Sequence, residues 1–240
     1  MNDDRRRQRL LWRIHRRYQT VRQHVKIGDI ELDFLRIADP NRVLDELAEQ
    51  EDRREKLTGQ RKSGDELHLP YWAELWESSL GLGEFLAQRV QSWPFKVQEP
   101  RVLDLGCGMG LAGTLAAALG ARVLFADLEP EALLFAVVNS WPWRKQVRAR
   151  RVDWRVDEIQ EKFDLILGAD VLYERAQWEF LERFWRKHVG GSGRLLLGEP
   201  GRQTGEIFVP WIAQRGWGMQ QFEQTVAGRR IRIFQLELDG

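Results

Sequence analysis

Between residues 104 and 173 this chain spaces four aspartates, a tyrosine and a run of glycines at intervals that could build a binding site. Asp104-Leu105-Gly106-Cys107-Gly108-Met109-Gly110 continues an apolar run that begins at Val102. A buried strand, a glycine-dense turn and a helix from Leu111 to Leu119 closed by Gly120 make a nucleotide-type corner. Glycine suits it because the backbone can approach a ligand with no Cβ in the way. Asp127 ends a second apolar run, Asp153-Trp154 ends a third, more polar strand, and Asp170-Val171-Leu172-Tyr173 follows a further apolar run. The question is which nucleotide such a corner takes.

Gly108-Met109-Gly110-Leu111-Ala112-Gly113 matches the dinucleotide pattern GxGxxG, with Asp127 at the end of the second strand, so a nicotinamide cofactor must be weighed. Asp104 argues against it, because a pyrophosphate gains nothing from a carboxylate beside its turn. The closing hairpin also departs from two successive βαβαβ halves. S-adenosylmethionine fits better: its methionine part carries an ammonium beside a sulfonium, so an acid near the glycines has a role. Tyr71, Trp72 and Trp76 lie within six residues of one another upstream of the corner. Aromatic faces suit a sulfonium or ammonium, so Trp76 is a candidate lid over the ligand. Ordinary aromatic packing at a helix start is the competing explanation.

The spacing from Asp104 to Gly110 resembles the D-x-G-x-G-x-G motif of class I, seven-strand S-adenosylmethionine-dependent methyltransferases. The resemblance implies that Gly106, Cys107, Gly108 and Gly110 seat the methionine end, with Asp104 beside them. It implies that Asp127, with Leu128, takes the ribose hydroxyls and that Asp153 contacts the adenine amino group with Trp154 against the ring. Ala169 and Trp76 complete the cofactor set. Asp170-x-x-Tyr173 resembles the D-x-x-Y motif of the protein lysine methyltransferases, and the proline of the adenine and glutamine enzymes is missing. Trp76-Glu77-Ser78-Ser79 and Glu199-Pro200-Gly201-Arg202 also look like that group, nearest to the branch acting on the electron-transfer flavoprotein β subunit. Asp170 and Tyr173 are then the candidate catalytic pair, orienting an acceptor amine whose proton leaves to water. A helix-cap carboxylate and a packed ring would explain the same two residues structurally.

The elements that must position these residues are legible as alternations. Five strand–helix alternations predict an α/β fold with a mostly parallel sheet and helices on both faces. The last two strands, joined at Ala227-Gly228, predict an antiparallel hairpin at one edge. The resemblance makes this a Rossmann-like, doubly wound seven-strand sheet. Upstream, a hairpin turning at Gly28-Asp29 precedes a helix opening at Asp39-Pro40-Asn41 through Val43, Leu44 and Leu47. The charged stretch from Glu49 to Glu66, with Gly59, Ser63 and Gly64, is expected to be a mobile connector. A helix through Leu82, Phe85, Leu86 and Val90 should end at Trp93-Pro94. The division expected is an N-terminal accessory region, 1–65, and a methyltransferase domain, 66–240.

Composition narrows the partners. A formal net charge of +1 argues against binding nucleic acid by overall charge, although Arg5, Arg6, Arg7, Arg9, Arg13, Arg16, Arg17 and Arg22 make the start locally basic. There Leu10, Leu11 and Ile14 could form the apolar face of a short helix; Asp3 and Asp4 weaken a transit-peptide reading. One cysteine excludes an internal disulfide, and His15, His24, His68 and His188 show no metal-ligand spacing. No apolar run approaches the ~20 residues of a membrane span and no signal peptide is expected. A protein substrate, no nucleic acid or membrane partner, no metal and a cytoplasmic setting are the expectations.

Overall fold

The computed structural model describes residues 3–59, 69–89 and 99–238. The chain opens with α1 (Asp3–His15), β1 (Thr20–Ile27), β2 (Ile30–Ile37) and α2 (Pro40–Thr58). A 3-10 turn at Tyr71–Ala73 and α3 (Glu77–Ala87) lead into β3 (Arg101–Leu105), α4 (Leu111–Ala118), β4 (Arg122–Asp127), α5 (Pro130–Asn139) and β5 (Val147–Arg151). Then come β6 (Phe163–Ala169), α6 (Trp178–His188), β7 (Val189–Glu199), α7 (Gln203–Ala213), β8 (Trp217–Val226) and β9 (Arg229–Leu238).

Seven strands form one sheet in the order β5-β4-β3-β6-β7-β9-β8. β3 to β7 run parallel, whereas β7–β9 and β8–β9 are antiparallel. The chain moves outward from β3 in one direction and then returns to place β6 on its other side. That reversal is a topological switch point, where α/β sheets bind ligands beyond the carboxyl ends of their strands. Gly106, Asp127, Asp153, Asp170 and Glu199 all lie at carboxyl ends on this one edge.

Alternation along the strands divides the core in two. Leu103, Leu105 and Ile166 pack under α6 and α7 with Phe184, Trp185 and Phe208, while Val102, Leu165 and Leu167 pack under α3 and α4 with Phe85 and Ala116. Successive side chains on a strand point to opposite faces, so a continuous apolar run is what a sheet covered on both faces needs. Asp104 shares the parity of Val102 and therefore points toward α4.

β1 and β2 pair antiparallel with Ile27 opposite Ile30, and Gly28 takes a positive φ of 57° in the turn. Val25, Ile27, Leu32 and Phe34 join a third apolar cluster with Leu111, Leu115 and Phe135 of the main domain, and Leu10, Leu11 and Ile14 of α1 pack into it. Asn139 fastens the joint: its Oδ1 accepts the Leu35 N–H at 2.8 Å, and its Nδ2 donates to Leu35 O and Met109 O, each at 3.0 Å. The N-terminal hairpin is thus tied to the glycine turn itself.

The expected connector is a helix over its first part. α2 runs on to Thr58, where Gly59 caps it with φ 67° and donates its N–H to Glu55 O at 2.8 Å. Charges spaced three and four apart, Arg54–Glu51 and Arg53–Glu49, sustain a helix instead of breaking it. Ser63, Gly64, Glu66 and His68, like Val90, Trp93 and Pro94, lie outside the described residues. Gly190 and Gly191, which follow the end of α6 at His188, are strand residues of β7. Among the described residues no helix is long and apolar enough to cross a membrane.

Candidate active site

The glycine turn is held by side chains from two strands. Gly106, Gly108 and Gly110 have φ of 65°, 52° and 83°, a region that disfavours any Cβ. A Cβ on Gly110 would also lie 2.5 Å from the Ala136 Cβ, so α5 can pack here only against glycine. Asp127 Oδ2 accepts the Gly108 N–H at 2.9 Å and its Oδ1 accepts the Glu129 N–H at 2.9 Å. Asp104 Oδ2 accepts the Gly113 N–H at 2.8 Å. Burial raises both acids: Asp104 is pushed up to about 7, opposed by the Gly113 bond and reinforced by Asp127, and Asp127 to about 6, opposed by its backbone bonds. Burial, then the charges of Asp127 and Asp104, holds the Cys107 thiol well above its ordinary value, which makes it inert.

Two protonation-prone carboxyls beneath one turn favour a cation there over an anion. The site therefore has little use for a pyrophosphate. Trp154 packs beside the same turn: a Cβ on Gly106 would meet its ring at 3.5 Å, and its Nε1 donates to Gln177 Oε1 at 3.1 Å. Leu128, half-buried after β4, accepts from Arg151 Nε through its carbonyl at 2.9 Å. Asp153, after β5, holds the Arg155 guanidinium with its two oxygens at 2.9 and 2.7 Å.

The second half of the site follows β6. Ala169 is its last residue, half-buried, and Asp170 next to it has a φ of 54°, rare for a residue with a Cβ. The Asp170 N–H donates to Gly198 O at 2.8 Å, and its carboxylate receives Arg202 Nε at 3.1 Å and Nη2 at 2.7 Å. It caps no helix; Gln177 stands at the N-cap of α6. Glu199, buried at the end of β7, anchors the loop by accepting the N–H groups of Gly201, at 2.9 Å, and Arg202. Arg232 bonds Glu199 at 2.7 Å from β9.

An aromatic rim encloses this ion pair. The Arg202 guanidinium lies 5.4 Å from the centre of the Trp76 ring. Trp76 Nε1 donates to Tyr71 O at 3.0 Å, and the Tyr71 and Tyr173 rings meet edge to face at 5.4 Å. Tyr173 remains 39% exposed and Tyr71 46%, so both stand at the mouth. Burial, then the charge of Glu174, pushes Tyr173 up to about 12, so its hydroxyl is a hydrogen-bond donor throughout the neutral range.

The structure thus gathers the glycine turn, Asp104, Asp127, Asp153, Trp154, Asp170 and Tyr173 at the carboxyl ends of the strands, each of the four aspartates also bonded within the protein. Trp76, expected as a lid on the nucleotide, faces Arg202. Tyr71, Arg202 and Arg232 were not among the site residues expected from sequence. The Glu199-Pro200-Gly201-Arg202 loop was the available signal for Arg202 and the aromatic cluster with Trp72 and Trp76 the signal for Tyr71; nothing local marks Arg232.

Residues 67–209 match the model of a protein family described as lysine methyltransferase. A protein N-lysine methyltransferase METTL21A of Danio rerio is 36% identical over 123 residues, 47% of this chain and 53% of that protein. The electron transfer flavoprotein beta subunit lysine methyltransferase of Danio rerio is 30% identical over 135 residues, 55% of this chain and 51% of that protein. The chain spans about half the length of these curated relatives. Among solved structures, the glycopeptide N-methyltransferase MtfA shares the fold with a TM-score of 0.57 at 12% identity, over 67% of this chain and 90% of that one.

Proposed function

The chain belongs to the lysine methyltransferase family, and on that premise we propose that it transfers a methyl group from S-adenosylmethionine to a protein lysine side chain. One observation carries the reading. At the switch point of the sheet, a turn braced by two raised carboxyls stands next to an acceptor segment, Asp170 to Tyr173, on the neighbouring strand. The residues present fit the cofactor. Carboxylates are available for hydroxyl and ammonium groups, an indole for a purine face, and glycines for close approach.

In this reading Gly106, Cys107, Gly108 and Gly110 hold the methionine end above Asp104. Asp127 and Leu128 take the ribose, Asp153 and Trp154 the adenine, and Ala169 and Trp76 border the methyl group. Bound there, S-adenosylmethionine supplies a methyl group activated by a sulfonium, whose bonding pair stays on sulfur. The protein's task is to position a neutral amine in line with it and to exclude water. A free lysine has a pKa of ~10.4, so presenting its neutral form at pH 7 costs roughly 4–5 kcal/mol. Asp170 and Tyr173 orient the amine, while the lysine proton leaves to water before the site closes. Residues 1–65 are the accessory region and 66–240 the catalytic domain, in a cytoplasmic setting with a protein, not a nucleic acid, as acceptor.

Incubation with methyl-labelled S-adenosylmethionine and a cell lysate tests the proposal. Label on a lysine of a protein band, located by mass spectrometry, is the expected result. Label confined to small metabolites overturns the protein acceptor. Thermal stabilisation by NAD instead of S-adenosylmethionine overturns the cofactor.

A further inference from the structure

The acceptor end of the site faces a charge conflict. The attacking lysine must be neutral, yet a bare carboxylate beside it favours the ammonium. In the structure Asp170 is not bare: both of its oxygens meet the guanidinium of Arg202, and its side chain is only 4% exposed, against 41% for Arg202. Glu199, the nearest other acid, is committed to Arg232 at 2.6 Å. An incoming side chain therefore meets the edge of Arg202 and the rings of Trp76, Tyr71 and Tyr173, with the Asp170 charge behind them.

We infer that Arg202 is a positioning residue for amine deprotonation: it cancels the Asp170 charge, so that the acceptor wall holds the lysine without holding its proton. The inference rests on the lysine reading proposed above. Among the described residues, the charged and titratable groups that act on the pair or on Tyr173 come from several elements. Tyr173 and Glu174 face the pair from the segment after β6, Tyr71 from the turn before α3 and Asp127 from β4. Glu199 faces it from β7 and, through Arg232 of β9, so does Glu206 of α7. Tyr173, at about 12, keeps its proton, and Asp127, at about 6, has lost its own above pH 7. Asp104, at about 7, titrates at the lower edge of this range, so a midpoint above pH 8 reports the acceptor nitrogen.

The test uses the lysine peptide recovered from the labelled band. Its kcat at saturating peptide and cofactor, which reports groups of the bound complex, is followed from pH 7 to 10 with the unaltered protein and with Arg202→Gln, Arg202→Lys, Asp170→Asn and the Asp170→Asn/Arg202→Gln pair. Removing the guanidinium should raise the midpoint of the profile by about one pH unit, the size of one uncompensated charge at this range. Asp170→Asn should lower it, and the double variant and Arg202→Lys should restore it. Independently of turnover, calorimetry in two buffers of different ionisation enthalpy counts the protons released when the peptide binds beside S-adenosylhomocysteine. Arg202→Gln should release fewer at pH 8. A loss of rate with the midpoint unmoved would mean that Arg202 only supports the loop, and overturns the inference alone. Should Arg202→Gln fail to fold, the double variant and Arg202→Lys decide, since a displaced midpoint in either has the same force. If the unaltered protein labels no lysine, the lysine reading fails and takes the inference with it.

Discussion

Asp127 accepts the backbone N–H of Gly108 at 2.9 Å, so the carboxylate proposed for the ribose also braces the turn proposed for the methionine end. A residue with both duties couples cofactor affinity to its own protonation. Burial raises Asp127 to about 6, so its contribution to the stability of the cofactor-free protein is complete below the ordinary value of 3.8 and is lost as the pH rises through about 6. Cofactor hydroxyls need the ionised form, so binding has the opposite dependence. The thermal stabilisation produced by a fixed concentration of S-adenosylmethionine should grow from pH 5.5 to 7.5. Asp127→Asn should bind about tenfold more weakly and lose that rise, the loss of a charged hydrogen-bond acceptor being worth about 1.5–3 kcal/mol. A pH-independent stabilisation in the unaltered protein would refute the coupling.

Gly110 and Gly120 separate strain from crowding. Both have positive φ, 83° and 100°, but a Cβ on Gly110 would strike the Ala136 Cα at 2.7 Å whereas one on Gly120 meets nothing within 4 Å. Gly120→Ala should cost about 1–2 kcal/mol in urea unfolding, for the left-handed backbone alone. Gly110→Ala adds overpacking of about 1–3 kcal/mol against backbone that cannot retreat. Equal costs at the two sites would contradict the close approach of α5.

The Tyr71–Tyr173 contact predicts a kinetic split. Both rings stand at the mouth, 46% and 39% exposed, so their loss should move the unfolding midpoint less than the loss of a core aromatic. Tyr173→Phe keeps the edge-to-face packing and removes one hydroxyl, which should lower kcat by about tenfold for one hydrogen bond of about 1.4 kcal/mol. Tyr71→Ala removes the support and should raise KM for the acceptor instead. Steady-state kinetics on the labelled substrate distinguishes them; a Tyr173→Phe protein with full kcat would remove Tyr173 from the chemistry.

Glu199 is the structural anchor of the acceptor loop, 1% exposed and paired with Arg232, whose side chain is 14% exposed. Glu199→Ala leaves the Arg232 guanidinium with only the Arg202 carbonyl at 2.8 Å and the exposed Glu206 at 3.9 Å, a defect of up to about 3–5 kcal/mol. Urea denaturation should show that loss with an unchanged slope. A change below about 1 kcal/mol would show that Arg232 finds another partner without cost.

Much of this site was legible because a parallel sheet brings its strand ends to one edge by construction. Once strands ended at Gly106, Asp127, Asp153 and Asp170, their shared location followed from topology. The connector expected from Glu49 was misjudged because charge was weighed without its spacing; at three- and four-residue intervals the same charges support a helix that stops only at Gly59.

What the sequence determined by itself was the fold, the glycine turn and the identity of the acids at each strand end, since hydrophobic period and turn chemistry are local. The tertiary structure alone decided what each acid does. Strand parity and the absence of a Cβ on Gly113 turned Asp104 toward α4. Asp170 found Arg202 across 32 residues, and Tyr173 found Tyr71 from the turn before α3, through loop closures that no local pattern encodes. Charge compensation depends on distance in space, and distance in space is set only when the sheet and its loops have closed.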